Sequence, residues 1–129
     1  MPRKIDILCV SGTREKLQMA AMVASVGAAS GDEVTVFFSM NALGYFIKGD
    51  TSEAPSEGKF GDMLGHKGVP PFRQLFQQAA DLGDAKLLPC SMALDLLEIT
   101  DQDLEPEFGA ATGLTKFLMD AEGSQIYTF

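Results

Sequence analysis

The sequence has few of the residues that metal sites and disulfide frameworks require. Its 129 residues include two cysteines, one histidine and no tryptophan. The two cysteines, Cys9 and Cys90, are too few and too far apart for a disulfide framework, and neither belongs to a C-x-x-C pair. A single histidine completes no cluster of soft ligands for zinc. These absences favour a domain that keeps its thiols reduced.

Positive charge is also scarce, and long apolar runs are missing. Ten Lys and Arg against 18 Asp and Glu give a net charge of −8, and no basic block offsets it locally. This balance opposes binding to nucleic acid or to an anionic membrane surface. The longest weakly polar stretch, 19–29, is too short to span a bilayer, and the N-terminal residues lack a signal-peptide pattern. We therefore expect a cytoplasmic protein without a membrane span.

What remains is typical of one globular domain. Hydrophobic residues make up 46% of the chain and charged residues 22%, which excludes disorder, and the length fits a single core. Apolar runs of strand length alternate with helical periodicity, which predicts an α/β fold with one small, doubly wound, mostly parallel sheet and helices on both faces. The predicted elements are strand 5–10, helix 14–30, strand 33–38, short helix 42–47, helix 72–82, strand 85–88, helix 92–99, helix 112–121 and strand 125–129. The prediction for 1–129 is one domain with a flexible loop at about 50–68.

The first helix is apolar on more than one side. Small residues recur on one face at helical spacing from Leu17 to Ala28, while Met19, Met22 and Val26 add apolar surface elsewhere. Two interpretations stay open, namely a core helix within the monomer or a helix that also packs against another chain. Together with seven methionines in so small a protein, this pattern predicts a homo-oligomer, with three copies or a multiple of three favoured.

The segment 50–68 is rich in glycine, serine and acidic residues. Its glycines match neither G-x-G-x-x-G nor the Walker pattern, which excludes a phosphate-binding loop of those types. A loop of this length is typical of a mobile flap. His66 lies alone within it, so an exposed side chain is favoured over a catalytic base.

Three polar turns follow predicted strands and should lie at the carboxyl edge of the sheet, where parallel α/β proteins bind ligands. They contain Ser11, then Ser39 and Asn41, then Cys90 and Ser91. Cys90 stands where a strand meets a helix N-terminus, and the backbone N–H groups there favour a thiolate. The alternative is a buried, inert cysteine. Cys9 lies inside the first apolar run and should be packed in the sheet.

Other catalytic arrangements are not supported by the sequence. A Ser–His–Asp triad has no suitable histidine. Four carboxylates, Asp101, Asp103, Glu105 and Glu107, crowd one connection, but no apolar pocket is evident that would raise the pKa of any of them. They are interpreted as a solvated acidic surface.

The segment Leu88–Ile99, LPCSMALDLLEI, resembles the cysteine motif of the DsrE/DsrF-like family, whose members are sometimes labelled peroxiredoxin-like. The matching positions are Cys90, Met92, Asp95 and Ile99. The segments 34–39 and 41–44 resemble the second strand and short helix of that family. The chain departs from the pattern at Pro89, at Ala93 and Leu94 in place of Ser and Met, and at Glu98 where Gly is common.

The resemblance implies a sulfur-relay protein. Cys90 would carry sulfane sulfur as a persulfide, with Ser91, Ser11, Ser39 and Asn41 as candidate anion-stabilising or pocket residues. The implied partners are TusA-like or rhodanese-like sulfur carriers, and no cofactor is implied. A non-catalytic assembly or regulatory subunit with the same fold is the alternative function. A thiol oxidoreductase lacks an evident resolving cysteine near Cys90.

Overall fold

A computed structural model describes residues 2–66 and 68–129. Its sheet has four strands in the order β3-β2-β1-β4, and every neighbouring pair is parallel. The strands are β1 (Lys4–Cys9), β2 (Glu33–Phe38), β3 (Lys86–Pro89) and β4 (Gln125–Thr128). The predicted parallel α/β fold is therefore confirmed.

Five α-helices and two short 3₁₀-helices connect these strands in the described parts of the chain. The α-helices are α1 (Arg14–Ala29), α2 (Lys59–Leu64), α3 (Phe72–Gly83), α4 (Ser91–Leu97) and α5 (Leu114–Asp120), and the 3₁₀-helices are Met40–Phe46 and Asp101–Asp103. None of the helices in residues 2–66 and 68–129 has both the length and the apolar character needed to cross a membrane.

The helices cover both faces of the sheet. On one, here called the α1 face, α1 packs close to the strands because Gly27 has no side chain; a Cβ there would lie 3.1 Å from a methyl of Val34. Helix α3 packs against α1 on the same side. The opposite face, here called the α5 face, carries Phe37, whose ring lies 5.0 Å from that of Phe117 in α5. Alternate residues of each strand therefore face two separate helical layers.

An aromatic cluster fills the α1 face near the carboxyl ends of the strands. The ring of Phe38 lies 4.8–4.9 Å from those of Phe46, Phe76 and Phe108. These rings meet at tilted or edge-to-face angles, which aromatic pairs favour. Phe38 is fully buried, and its backbone carbonyl accepts the N–H of Cys90. The cluster thus supports the strand end beside the predicted site.

Replacing Phe38 with alanine should lower the free energy of unfolding by about 3–5 kcal/mol, because it removes a buried ring and leaves a cavity among three others. Phe60→Ala is the matched control, since that ring is 67% exposed and its loss should cost about 0.5 kcal/mol or less. Denaturant unfolding of both variants measures the difference. Equal destabilisation would contradict the placement of the aromatic core.

The sequence predicted one continuous loop over 50–68. The structure instead contains a helix within this segment, because Lys59–Leu64 form α2. The reason is a tertiary contact that local sequence does not reveal. The Glu15 carboxylate accepts the backbone N–H groups of Glu57 and Gly58 at 2.8–2.9 Å, directly before α2 begins. A carboxylate at this position satisfies donors that a helix start leaves without partners.

The backbone N–H of Glu57 is the main reason that the pKa of Glu15 lies below its ordinary value, and that of Gly58 adds to it. A carboxyl group whose pKa is lowered by folding stabilises the fold above its unfolded pKa and ceases to do so as the pH falls through the folded value. We therefore expect the protection of residues 57–58 against hydrogen exchange to decrease below about pH 4.

At neutral pH, Glu15→Gln should reduce the same protection, and the neighbouring exposed Lys16→Gln should not. Residues 50–68 as a whole should exchange faster than Val34–Phe38, since little of the segment is buried. Protection in the segment equal to that of β2 would contradict the prediction of a flexible loop.

Candidate functional site

Cys90 occupies the junction between β3 and α4, as predicted. Its backbone is extended (φ −68°, ψ 124°), and the first helical residue is Ser91. The N–H of Cys90 donates to Phe38 at 2.9 Å, and its carbonyl accepts the N–H of Leu94 at 3.0 Å, the first intrahelical bond of α4. Two backbone bonds therefore fix the position of Cys90 between the sheet and the helix.

The immediate surroundings enclose the thiol. Cys90 is 5% exposed, is not in a disulfide and makes no side-chain hydrogen bond to the start of α4. The backbone N–H of Ser91 donates to the carbonyl of Thr112 at 3.0 Å, so this donor is already satisfied. The N–H groups of Met92 and Ala93 precede the first intrahelical donor, Leu94, and are the next donors of α4 along the chain after that of Ser91.

The other predicted residues on the neighbouring strands follow β2 and β1 at the same edge of the sheet. Ser39 directly follows the neighbouring strand β2 and is buried, and its N–H donates to the carbonyl of Cys9. Ser11 follows β1 and is half-buried. Because β1 is two strands from β3, Ser11 and Cys90 are separated by about 10 Å of sheet. Asn41 is exposed. The sheet thus places Ser39 beside Cys90 and Ser11 farther away.

Contacts between the turns after β1 and β2 hold this edge together. An ideal Cβ on Gly12 would lie 2.7 Å from the backbone oxygen of Asn41, so only glycine fits without a shift. The hydroxyl of Tyr45 donates to the carbonyl of Gly12 at 3.1 Å. The backbone N–H groups of Val10 and Ser11 both donate to the carbonyl of Phe129, at 2.8 and 3.2 Å.

Cys9 has a different environment. It lies in β1 with its side chain fully buried, and burial raises the pKa of its thiol to about 12. A thiol in this state is neither nucleophilic nor accessible at neutral pH. The interpretation of Cys9 as a packed residue agrees with this geometry.

One contributor to the site carried no evident signal in the sequence. The segment 108–112 runs along the outer edge of β3, where Phe108 pairs with Leu87 and Thr112 pairs with Cys90. The N–H of Thr112 donates to the carbonyl of Pro89 at 2.9 Å. The segment therefore covers the strand edge beside Cys90. Neither its composition nor its spacing resembles a strand, so pattern alone could not place it there.

The acidic connection is more than the predicted solvated surface. Asp101 accepts the N–H of Ala111 at 2.9 Å, and Asp103 forms a capping box with Thr100. Glu105 accepts the N–H of Gly49 at 3.2 Å. These carboxylates hold turns in place. Glu107 is half-buried, and burial raises its pKa, with smaller contributions from Glu105 and Asp81. The expectation that no pKa is raised here was wrong for Glu107.

Other candidate chemistry is limited. His66 is exposed, as predicted. Within residues 2–66 and 68–129, His, Cys, Asp and Glu side chains form no group of three or more that could hold a metal ion.

Comparison with known proteins identifies the fold and the family. Residues 58–129 match the model of the DsrE/DsrF/DrsH-like family, and this match includes Cys90 and the whole motif around it. The chain belongs to the DsrE/DsrF/DrsH-like family. The predicted resemblance is confirmed, and family membership supports a fold of the sulfur-relay type. No curated protein matches the chain.

Two solved structures resemble this family member over its whole length. The ychN protein of E. coli is 14% identical, with a TM-score of 0.69, and 100% of each chain is covered. Protein MTH1491 of Methanobacterium thermoautotrophicum, described as of unknown function, is 10% identical with the same TM-score, covering 98% of this chain and 99% of its own. At these identities the likeness shows the fold.

The structure gives a physical reason why glycine is common at one position where this chain departs from the family motif. Glu98, at the end of α4, has a φ of +58°, in the left-handed region that glycine adopts without steric cost. Glycine is therefore the natural residue at this position, and the glutamate is tolerated at a cost of about 1 kcal/mol. The departure affects the helix end and leaves Cys90 in place.

Proposed function

We propose that this protein accepts sulfane sulfur on Cys90 as a persulfide and passes it to a protein acceptor. The observation that carries the proposal is the position of Cys90. It is the residue before α4 at the carboxyl edge of a parallel sheet, within the motif that the family model matches. Ser91 follows Cys90 in the chain, and the polar residues Ser39 and Thr112 lie beside it on the two flanking segments.

The chemistry needs no cofactor. The Cys90 thiolate attacks the outer sulfur of a donor persulfide, the bond between the two donor sulfurs breaks, and the donor leaves as a thiolate. The product is a persulfide on Cys90, whose outer sulfur is then attacked by the acceptor thiolate, restoring the Cys90 thiolate. The sulfane sulfur passes from the donor to Cys90 and then to the acceptor without net oxidation or reduction. TusA-like and rhodanese-like carriers have thiols suited to these exchanges, in the reducing cytoplasm.

Burial of Cys90 shapes how this transfer proceeds. A persulfide places its terminal sulfur about 2 Å beyond the original thiol sulfur. Because only 5% of Cys90 is exposed, a partner reaches either sulfur only after a local rearrangement around the terminal sulfur. The N–H groups of Met92 and Ala93 are the backbone donors available to stabilise its negative charge.

Intact-protein mass spectrometry after incubation with a sulfane donor tests the proposal. We expect the mass of one added sulfur, and its loss on reduction or on addition of an acceptor thiol protein. No uptake from any of several donors would overturn the proposal. It would favour the non-catalytic assembly subunit, a role to which the burial of Cys90 also points.

We further propose that the protein assembles with copies of itself through α1 and β4. Met19, Met22 and Val26 in α1 are 44–66% exposed and line an apolar groove that also includes Tyr127 of β4. In the described residues β4 pairs with β1 alone, so its other edge is open. The described lining of this groove contains no acidic residue and one basic residue, Arg3, so for a chain of net charge −8 it is where a second copy meets the least repulsion.

Native mass spectrometry at micromolar concentration should show an oligomer, with a multiple of three subunits favoured. Val26→Asp should shift the population towards monomer, because it places charge in the apolar groove. Met63→Lys, a change at an exposed methionine on α2, should not. A monomeric wild-type protein would contradict the proposal and leave α1 as a helix of the monomer core.

A further inference from the structure

A cavity of about 890 Å³ lies away from Cys90, against the α5 face of the sheet. The floor consists of the first halves of β1, β2 and β3, and the walls are α5 and residues 110–112. The turns before β2 and β3 form its mouth. This volume is in the range of small-molecule sites. Cys90 does not line the cavity.

Three different polar groups cross the cavity floor in one row. Strand register places Asp6 beside Thr35, and Thr35 beside Lys86. All three side chains line the cavity, so the row presents a carboxylate, a hydroxyl and an ammonium group in that order. The Cα atoms of Asp6 and Lys86 are separated by two strand spacings, about 10 Å. The two ends of the floor therefore carry opposite charge.

One oxygen of the Asp6 carboxylate has no hydrogen-bond partner within residues 2–66 and 68–129. Asp6 is 2% exposed, and its Oδ2 atom is buried without a hydrogen bond in the described part of the chain. A buried carboxylate oxygen without a donor is unfavourable, and the remedy is a donor brought by something else. A carboxylate is acceptor only, so the missing group is an N–H or O–H, and a cationic ammonium group suits it best.

The nearby lysines do not supply that donor. The ammonium of Lys4 donates to the backbone carbonyl of Asp120, and that of Lys116 lies 2.8 Å from the Asp120 carboxylate. Both are therefore directed towards the end of α5. Lys86 forms no ion pair within residues 2–66 and 68–129, and its charge contributes less than those of Lys116 and Lys4 to the lowered pKa of Asp120, so of the three lysines it is the most available to an anion.

We propose that this cavity binds a small zwitterion. Its ammonium group donates to Asp6, its anionic group meets Lys86, and Thr35 contributes a hydroxyl between them. Both charges of the ligand are needed, because either alone leaves one end of the floor without a partner. The proposal does not rest on sulfur transfer by Cys90.

Isothermal titration of the full chain with β-alanine, γ-aminobutyrate and ε-aminocaproate tests this site, with butylamine and butyrate as single-charge controls. We expect at least one of the zwitterions to bind about tenfold or more tightly than either control. Asp6→Asn should remove this binding, while its melting temperature stays equal or rises by a few degrees, since a buried charge is removed.

Lys86→Gln provides a readout that a purely structural role would not change. The variant should bind butylamine as the wild type does and lose its preference for the zwitterion. Lys48→Gln, far from the cavity lining, should retain that preference. Two results would overturn the proposal. One is that the wild type shows no preference for any zwitterion over the controls. The other is that the preference persists in each of the two single variants, Asp6→Asn and Lys86→Gln.

Discussion

Replacing Cys90 with serine is expected to abolish sulfur uptake, while Cys9→Ser retains wild-type uptake. A serine hydroxyl is nearly isosteric with the thiol but cannot form a persulfide. Cys90 stands at the end of β3 beside the first turn of α4, whereas Cys9 is fully buried within β1. The loss should therefore be complete in one variant and absent in the other, as read from intact masses after incubation with a sulfane donor.

Cys9→Ser is a demanding control because it places a hydroxyl in the core. Its fold should be checked by circular dichroism, and Cys9→Ala can replace it if serine destabilises the protein. Uptake that persists in Cys90→Ser and disappears in Cys9→Ala would show that Cys9 carries the sulfur, and would contradict our account.

Iodoacetamide at pH 7 is expected to label Cys90 about a thousandfold faster than Cys9. Burial raises the pKa of Cys9 to about 12, so its thiolate is very scarce in the folded protein at pH 7. Reaction at Cys9 also requires unfolding of the sheet, and unfolded molecules are rare, about one in a thousand or fewer. Cys90 needs only a local rearrangement of α4 or of residues 108–112.

The absolute rate at Cys90 reports on its enclosure. At 5% exposure we expect labelling of native Cys90 to be slower than that of a thiol in a denatured chain. In denaturant both cysteines should react at similar rates. Equal rates for the two cysteines in the native protein would contradict the different environments assigned to them.

The sequence was sufficient to predict the parallel sheet and the place of Cys90 at its carboxyl edge. Short apolar runs such as Glu33–Phe38 and glycine-ended helical patterns are local signals, and they survive folding. The family motif added the chemical interpretation of Cys90.

The parts that were missed depend on contacts between distant residues. Helix α2 begins where Glu15, more than 40 residues earlier, accepts two backbone N–H groups. The segment 108–112 resembles no strand, yet it pairs along the edge of β3. The raised pKa of Glu107 likewise follows from burial that composition does not show. Local patterns contain no information on such partners.

Peptide mapping of the sulfur-loaded protein tests the central claim most directly. Trypsin cleavage after Lys86 and Lys116 releases one peptide, 87–116, that contains Cys90, while Cys9 falls in peptide 5–14. After loading and blocking of free thiols, we predict that the mass of one additional sulfur appears in peptide 87–116 and is absent from peptide 5–14. Sulfur in peptide 5–14, or in neither peptide, would contradict the assignment of Cys90 as the sulfur carrier.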